Sequence, residues 1–243
     1  MASQGSSTAG LALAGLFVGI GLAAAGWFAS QTVLTARIGA NTATVKGLSE
    51  RRVDSDRAVW RIGYFQTGES EDEIPALARR LRETEARIVA LLKEEGFTDA
   101  EVSVEAMDRQ EDIFRNREGV VTSSEYTVRG GVTVETDRVA TIAPARFAIA
   151  DLILDGLDVE SGTPTYTFGG LNAIKPDMVR EATNNARIAA EEFAKNAGVD
   201  VGAIKVARQG GFSIRDAGSE FEETGEIEKD VRVVTTIEFY LTE

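Results

Sequence analysis

Apolar positions fall into three kinds of pattern along the chain. The first is a continuous run over residues 9–30, AGLALAGLFVGIGLAAAGWFAS, which carries no charge and is about the length a helix needs to cross a bilayer core. The second is alternation: Ala58, Trp60, Ile62 and Tyr64 share one face of a strand over 57–66, and Val102, Val104 and Ala106 and then Tyr126, Val128, Gly130, Val132 and Val134 repeat the pattern. It is clearest at the end, where Val231, Val233, Thr235, Ile237, Phe239 and Leu241 fall on one side of a strand and Arg232, Thr236, Glu238 and Thr242 on the other. The third is helical spacing, in Ile74, Leu77, Leu81, Ile88 and Leu92 behind a Ser70–Glu73 capping box, with a stop at Gly96.

From these patterns, residues 41–48 and 57–66 are expected to pair as a hairpin around 51–56, and 102–106 with 126–134 as a hairpin with a long charged tip over 108–119. A second helix runs through Val139, Ile142, Ile149 and Leu152, capped by Asp137, with Pro144 in its first two turns and a stop near Gly156. A strand near 163–168, a helix opened by Pro176 and closed before Gly198, and strands from Ala203 and Val231 complete the series. Ala86-Arg87-Ile88 and Ala186-Arg187-Ile188 each lead to a lysine, a glycine stop and a strand, which suggests two related halves. The expected fold class is α+β: a mixed sheet with long antiparallel hairpins and helices packed on it, preceded by one N-terminal transmembrane helix. The expected organisation is a leader over 1–8, an anchor over 9–30, a connector over 31–40 and one α+β domain over 41–243.

The apolar run changes the picture most. Trp27 and Phe28 sit at its end, where aromatic rings favour the membrane interface. Gly15, Gly19 and Ala23 recur every four residues and, with Trp27, form a stripe along which a second helix could approach. The alternative is a signal peptide cleaved after Ala23-Ala24-Ala25; against it, the leader has no Lys or Arg. Arg37 and Lys46 follow the run, and their charge alone would favour a cytoplasmic domain.

Composition removes most chemistry. With 39 acidic and 26 basic residues the net charge is -13, which repels a phosphate backbone and excludes nucleic acid as an expected partner. There is no histidine and no cysteine, so the commonest general base and the commonest transition-metal ligands are missing. No cofactor and no catalytic or metal site is expected. The densest acidic run, 216–230 with Glu220, Glu222, Glu223, Glu226 and Glu228 around Lys229, lacks the spacing of a calcium loop and reads as a flexible, solvated hairpin tip. Gly169-Gly170 and Gly210-Gly211 match no phosphate loop and read as turns or bulges.

The segment Thr44-Val45-Lys46-Gly47-Leu48-Ser49-Glu50, followed by Val53 and Asp56-Arg57-Ala58, resembles the V-x-G-x-G-E and P-D-x-A opening of the SIMPL domain family of bacterial envelope proteins. Leu48-Ser49 and Ser55 depart from it. Leu91-Leu92-Lys93, Gly96-Phe97 and Glu101-Val102 are similar to that family's helix end and next strand. Ala182, Ala186, Ala189-Ala190, Ala194 and Ala197-Gly198-Val199 are similar to its alanine-rich helix. Ile113-Phe114 and a single Tyr126 stand where the family is tyrosine-rich.

The resemblance implies a mixed α+β fold, an extracytoplasmic location, no established cofactor or active site, and self-association that in some members closes into rings; with the apolar run as a single-pass inner-membrane anchor the domain is expected in the periplasm, and with that run cleaved the chain is secreted there. It also includes oxidative-stress-defence proteins. The function expected is a non-enzymatic, self-assembling binding or scaffold module of the envelope, with the membrane and further copies of itself as partners. The alternative is a carboxylate-based hydrolase acting on a cell-envelope substrate.

Overall fold

A computed structural model describes residues 15–30, 41–219 and 225–242. The expected leader, residues 9–14 of the expected anchor, the connector, and Glu220, Glu222 and Glu223 lie outside the described residues. Residues 15–30 form helix α1. The remaining elements are β1 (Thr42–Asp54), β2 (Arg57–Gly68), α2 (Ile74–Glu94), β3 (Val102–Val104), β4 (Asp108–Arg115), β5 (Val121–Thr136), α3 (Ile142–Leu154), β6 (Val159–Ser161), β7 (Thr165–Thr167), α4 (Leu171–Ala197), β8 (Asp200–Asp216) and β9 (Glu228–Thr242). The fold is mixed α+β with antiparallel sheets. Among the described residues no helix is long and apolar enough to cross a membrane.

The strands form two sheets, a three-stranded one in the order β1-β9-β8 and a six-stranded one in the order β3-β5-β2-β6, with β4 on β5 and β7 on β2. The hairpin expected between 41–48 and 57–66 does not form. β1 instead continues through the expected turn to Asp54 and belongs with β9, while β2 pairs with β5 from Ala58↔Thr136 to Gly68↔Tyr126. The cause lies at Ser55-Asp56: the Ser55 N–H donates to Ile227 O at 2.8 Å and the Asp56 N–H to Thr167 O at 3.0 Å. The last two amides of the expected turn therefore bond other segments, and the chain does not double back.

The chain divides into two compact units, one of residues 50–176 and 212–232, the other of 1–49, 177–211 and 233–243. In the first, the inward face of β2 (Ala58, Trp60, Ile62, Tyr64) packs on Leu77, Leu81, Ile88 and Leu92 of α2 and on Ile142, Ala145 and Ile149 of α3, all buried. These are the faces the alternation and the helical spacing predict. The polar tips of two core aromatics are bonded: Trp60 Nε1 donates to Gly162 O at 3.0 Å and Tyr64 Oη to Glu85 Oε2 at 2.8 Å. A β carbon at Gly130 would stand 2.6 Å from Tyr64 Cε2, so this strand position must be glycine for the ring to lie over it. Asp137 does not cap α3. A 3-10 turn over Val139–Thr141 precedes the helix, and the Asp137 carboxylate lies 3.6 Å from Arg57.

In the second unit α4 buries a single seam of Met178, Ala182, Ala186, Ala190 and Ala194. Small side chains let its backbone come down onto the sheet: a β carbon at Gly47 would sit 1.9 Å from Ala182 O. Ile237 and Phe239 of β9, with Val45 and Val201, fill the space beneath Ala186 and Ala190. Ser49 Oγ donates to Glu181 Oε2 at 2.9 Å and Asn185 Nδ2 to Leu48 O at 2.8 Å, fixing the helix against β1. Pro176 does not open α4, which starts at Leu171 and carries the proline in its interior.

Candidate functional site

The residues of the N-terminal stripe are all on α1 and all exposed, and a β carbon at Gly15 or Gly19 would meet nothing within 4 Å. Trp27 is 68% exposed. The stripe keeps its four-residue spacing on one helix face.

Chemistry, if the chain performs any, would need a cleft. A depression of about 690 Å³ is lined by Asp56, Arg57, Asp137, Thr167, Phe168 and Gly169, at the end of the sheet where β2 begins and β5 finishes. A second, about 410 Å³, shares Arg57 and Asp137 and adds Ala100, Glu101, Glu135, Thr136 and Arg138. Its walls are held by a bonded lattice. Glu101 accepts from Thr136 Oγ1 at 2.6 Å, from Thr98 N at 2.9 Å and from Arg138 Nη2 at 2.7 Å. The Thr136 hydroxyl, then the Thr98 amide and the Arg138 guanidinium, hold the Glu101 carboxyl down at about 2 against the cost of burial. On the other side, Asp56 Oδ1 accepts from Gly169 N at 2.7 Å.

The uncovered face of the six-stranded sheet repeats this logic. Arg61 Nη2 lies 2.6 Å from Glu105 Oε2, Arg61 Nε lies 2.8 Å from Glu105 Oε1, and Thr133 Oγ1 donates to Glu105 at 3.0 Å. The Arg61 fork keeps the Glu105 carboxyl below its ordinary value. Every carboxylate with a shifted titration among the described residues moves down: Glu101, Glu105, Asp216, Asp230 and Glu238. A carboxylic general acid at neutral pH needs the opposite, a carboxyl pushed up by an apolar site. The lattice positions strands and holds its carboxyls in the ionised form.

The acidic run over 216–230 differs from its expected form. Asp216 and Lys229 are a buried ion pair, their side chains 2% and 3% exposed. The second oxygen of Asp216 accepts from Gly225 N at 2.9 Å and Glu226 N at 3.1 Å. Burial pushes the Asp216 carboxyl up, and the Lys229 ammonium with the two amides pushes it further down, leaving it below its ordinary value. The base of this hairpin is therefore a closed clamp. Asp230 is tied as well, 3.0 Å from Arg52 Nε. Among the described residues no three acidic side chains converge as metal ligands.

Residues 43–239 match the model of the SIMPL family, described as a protein of unknown function (DUF541). Among curated proteins nothing matches this chain. The match covers both compact units and begins beside Gly47, where the resemblance in the opening segment lies. The chain belongs to the SIMPL family.

Proposed function

We propose that this chain is a non-enzymatic module of the bacterial envelope, anchored to the inner membrane by its N-terminal segment, with its SIMPL domain on the periplasmic side assembling with further copies of itself. The observation that carries the reading is the open edge of the three-stranded sheet. β8 is 17 residues long and stands at the end of the order β1-β9-β8, with residues 203–205 and 207–211 exposed. A long free edge of this kind is a template for pairing with another chain, and natural proteins cover, twist or charge such edges unless they use them. Closed symmetry turns pairing at an edge into a finite assembly. The downward-shifted carboxylates support a binding role over a hydrolytic one. The family resemblance is what supports a part in the envelope or oxidative stress response.

Support for the anchor comes from the charge-free run over 9–30, of which α1 is the described part, and from the exposure of Leu16, Phe17, Val18, Ile20, Leu22, Trp27 and Phe28 along it. Light scattering on the full chain in mild detergent tests assembly, and carbonate extraction of membranes tests anchoring. A monomer at about 50 μM, well above the micromolar affinities of ordinary specific contacts, would overturn the assembly. Release of an intact chain by carbonate would overturn the anchor.

A further inference from the structure

α3 is apolar on both of its sides. Its inner side, Ile142, Ala145 and Ile149, is buried. Its outer side carries Ala143, Phe147, Ala150 and Leu154, all exposed, with Phe147 77% and Leu154 85% exposed. The spacings are four, three and four residues, the a/d rhythm of a helix that meets another helix along a seam. At about 100° per residue these positions fall within one narrow stripe, opposite the core face. An exposed helix with such a stripe is an interaction surface, because large apolar side chains in water cost what their burial would regain.

The flanking charges say what covers it. Taking Ala143 and Ala150 as d positions and Phe147 and Leu154 as a positions, Arg146 is at g and Asp151 at e. In a parallel pair of helices, g of one chain meets the e five residues later on the other. Arg146 and Asp151 are five apart, of opposite sign and exposed, and neither has an ion-pair partner among the described residues. Two copies of α3 side by side in parallel would make this pair twice, once on each flank of the seam. An antiparallel pair would instead set Arg146 against Arg146 and Asp151 against Asp151.

We infer that the outer face of α3 is the contact between two copies of this chain, packed as a parallel two-fold pair with Phe147 and Leu154 of each copy at its centre. The inference rests on the self-assembly proposed above and adds to the β8 edge a second contact surface between copies. The seam is short, about 17 Å from Ala143 to Leu154. Its large side chains form the anchoring cluster, and neighbouring surface completes the area that a stable dimer needs. Ile153, 45% exposed, widens the seam on the Arg146 side.

The test uses the full chain in mild detergent. Phe147→Asp and Leu154→Asp, both on the surface, should each raise the dimer dissociation constant by at least about tenfold. Arg146→Asp and Asp151→Arg should each weaken it by a factor of about 2 to 5, and the double exchange should restore it. The chain has no cysteine, so Ala143→Cys gives a clean reporter: a parallel pair brings position 143 against its own copy and oxidation yields a covalent dimer, whereas an antiparallel pair does not. A wild-type chain that is monomeric overturns both this surface and the assembly it rests on. An oligomeric wild type whose mass none of the α3 variants changes overturns the surface alone. So does a Phe147→Asp chain that keeps its mass but loses binding to anionic phospholipid vesicles, since the face would then meet lipid.

Discussion

Replacing Lys229 by methionine removes an ammonium of similar length and leaves the Asp216 carboxylate, 2% exposed, without its counter-charge. Breaking a buried pair in this way costs about 3–5 kcal/mol, most of it the desolvation of the charge left behind. The two amides that still donate to Asp216, at 2.9 and 3.1 Å, compensate part of that charge and place the loss at the lower end, about 3 kcal/mol. For a chain of this size that is a fall in melting temperature of about 6–12 °C. Asp216→Asn strands the ammonium instead and should cost at least as much. In the double variant Asp216→Asn with Lys229→Met no charge is buried, and the asparagine oxygen still accepts from the two amides. The cycle should then show a coupling of at least about 2 kcal/mol.

Trp60 is fully buried in the core of the unit that holds the pair, so its fluorescence during urea unfolding of the full chain reads the change. The pH dependence adds a check of sign. In the wild type the Asp216 carboxyl sits below its ordinary 3.8, so the pair's contribution is present above about pH 4 and is lost as the pH falls further. In Lys229→Met burial dominates and raises the same carboxyl, so that variant is most penalised at pH 7 and recovers as the pH falls. Single variants within about 0.5 kcal/mol of wild type at pH 7, with no coupling, would refute the buried clamp.

Two further outcomes follow from the packing. Gly47→Val should lower the urea midpoint by the equivalent of about 3 kcal/mol or more, because its β carbon would meet backbone, Ala182 O at 1.9 Å, and no side chain can swing away. Glu101→Gln should cost about 1–2 kcal/mol at pH 7 through weakened bonds to Arg138, Thr136 and Thr98; since the Glu101 carboxyl is held at about 2 against an ordinary 4.5, the gap should persist above pH 4.5 and close as the pH falls toward 2.

How much of this was legible follows a physical line between local and distant pairing. β9 and α2 were readable because each buries one face on a large apolar partner, so the period-2 and period-3.6 patterns survive in the residue types. β1 was readable as a strand over 41–48, but its length and its partner were not: Arg51, Arg52 and Asp54, which continue it, are half-buried or exposed and resemble a polar turn. Its partner β9 lies nearly two hundred residues away, and no local signal marks such a pairing. The same reasoning explains the missed start of α4: a proline in the first turns of a helix looks like its opening, and the residues ahead of Pro176 carry no stronger cap.

The clamp at Asp216 and the seam on α3 were hidden in another way, since both lie where a bland reading was available. Lys229 stands among acids, and a tract of acids reads as solvated tip. Yet Lys229 is in phase with Val231, Val233, Thr235, Ile237 and Phe239, all inward on β9, and a cation in the buried phase of a strand requires a buried anion within reach. Among the described residues only Asp216, at the end of β8, fills that requirement with its own side chain buried. On α3 the apolar residues on the core side explain the helix so well that Phe147 and Leu154 pass as scatter, and scattered surface hydrophobics are normal. What separates them from scatter is order: with Ala143 and Ala150 they keep the seam rhythm, and Arg146 and Asp151 flank that seam at the one separation that matches charges across a parallel pair. An inward lysine and an outward heptad are the same kind of signal, a residue in the wrong phase for the face it occupies, and each implies a partner on that side.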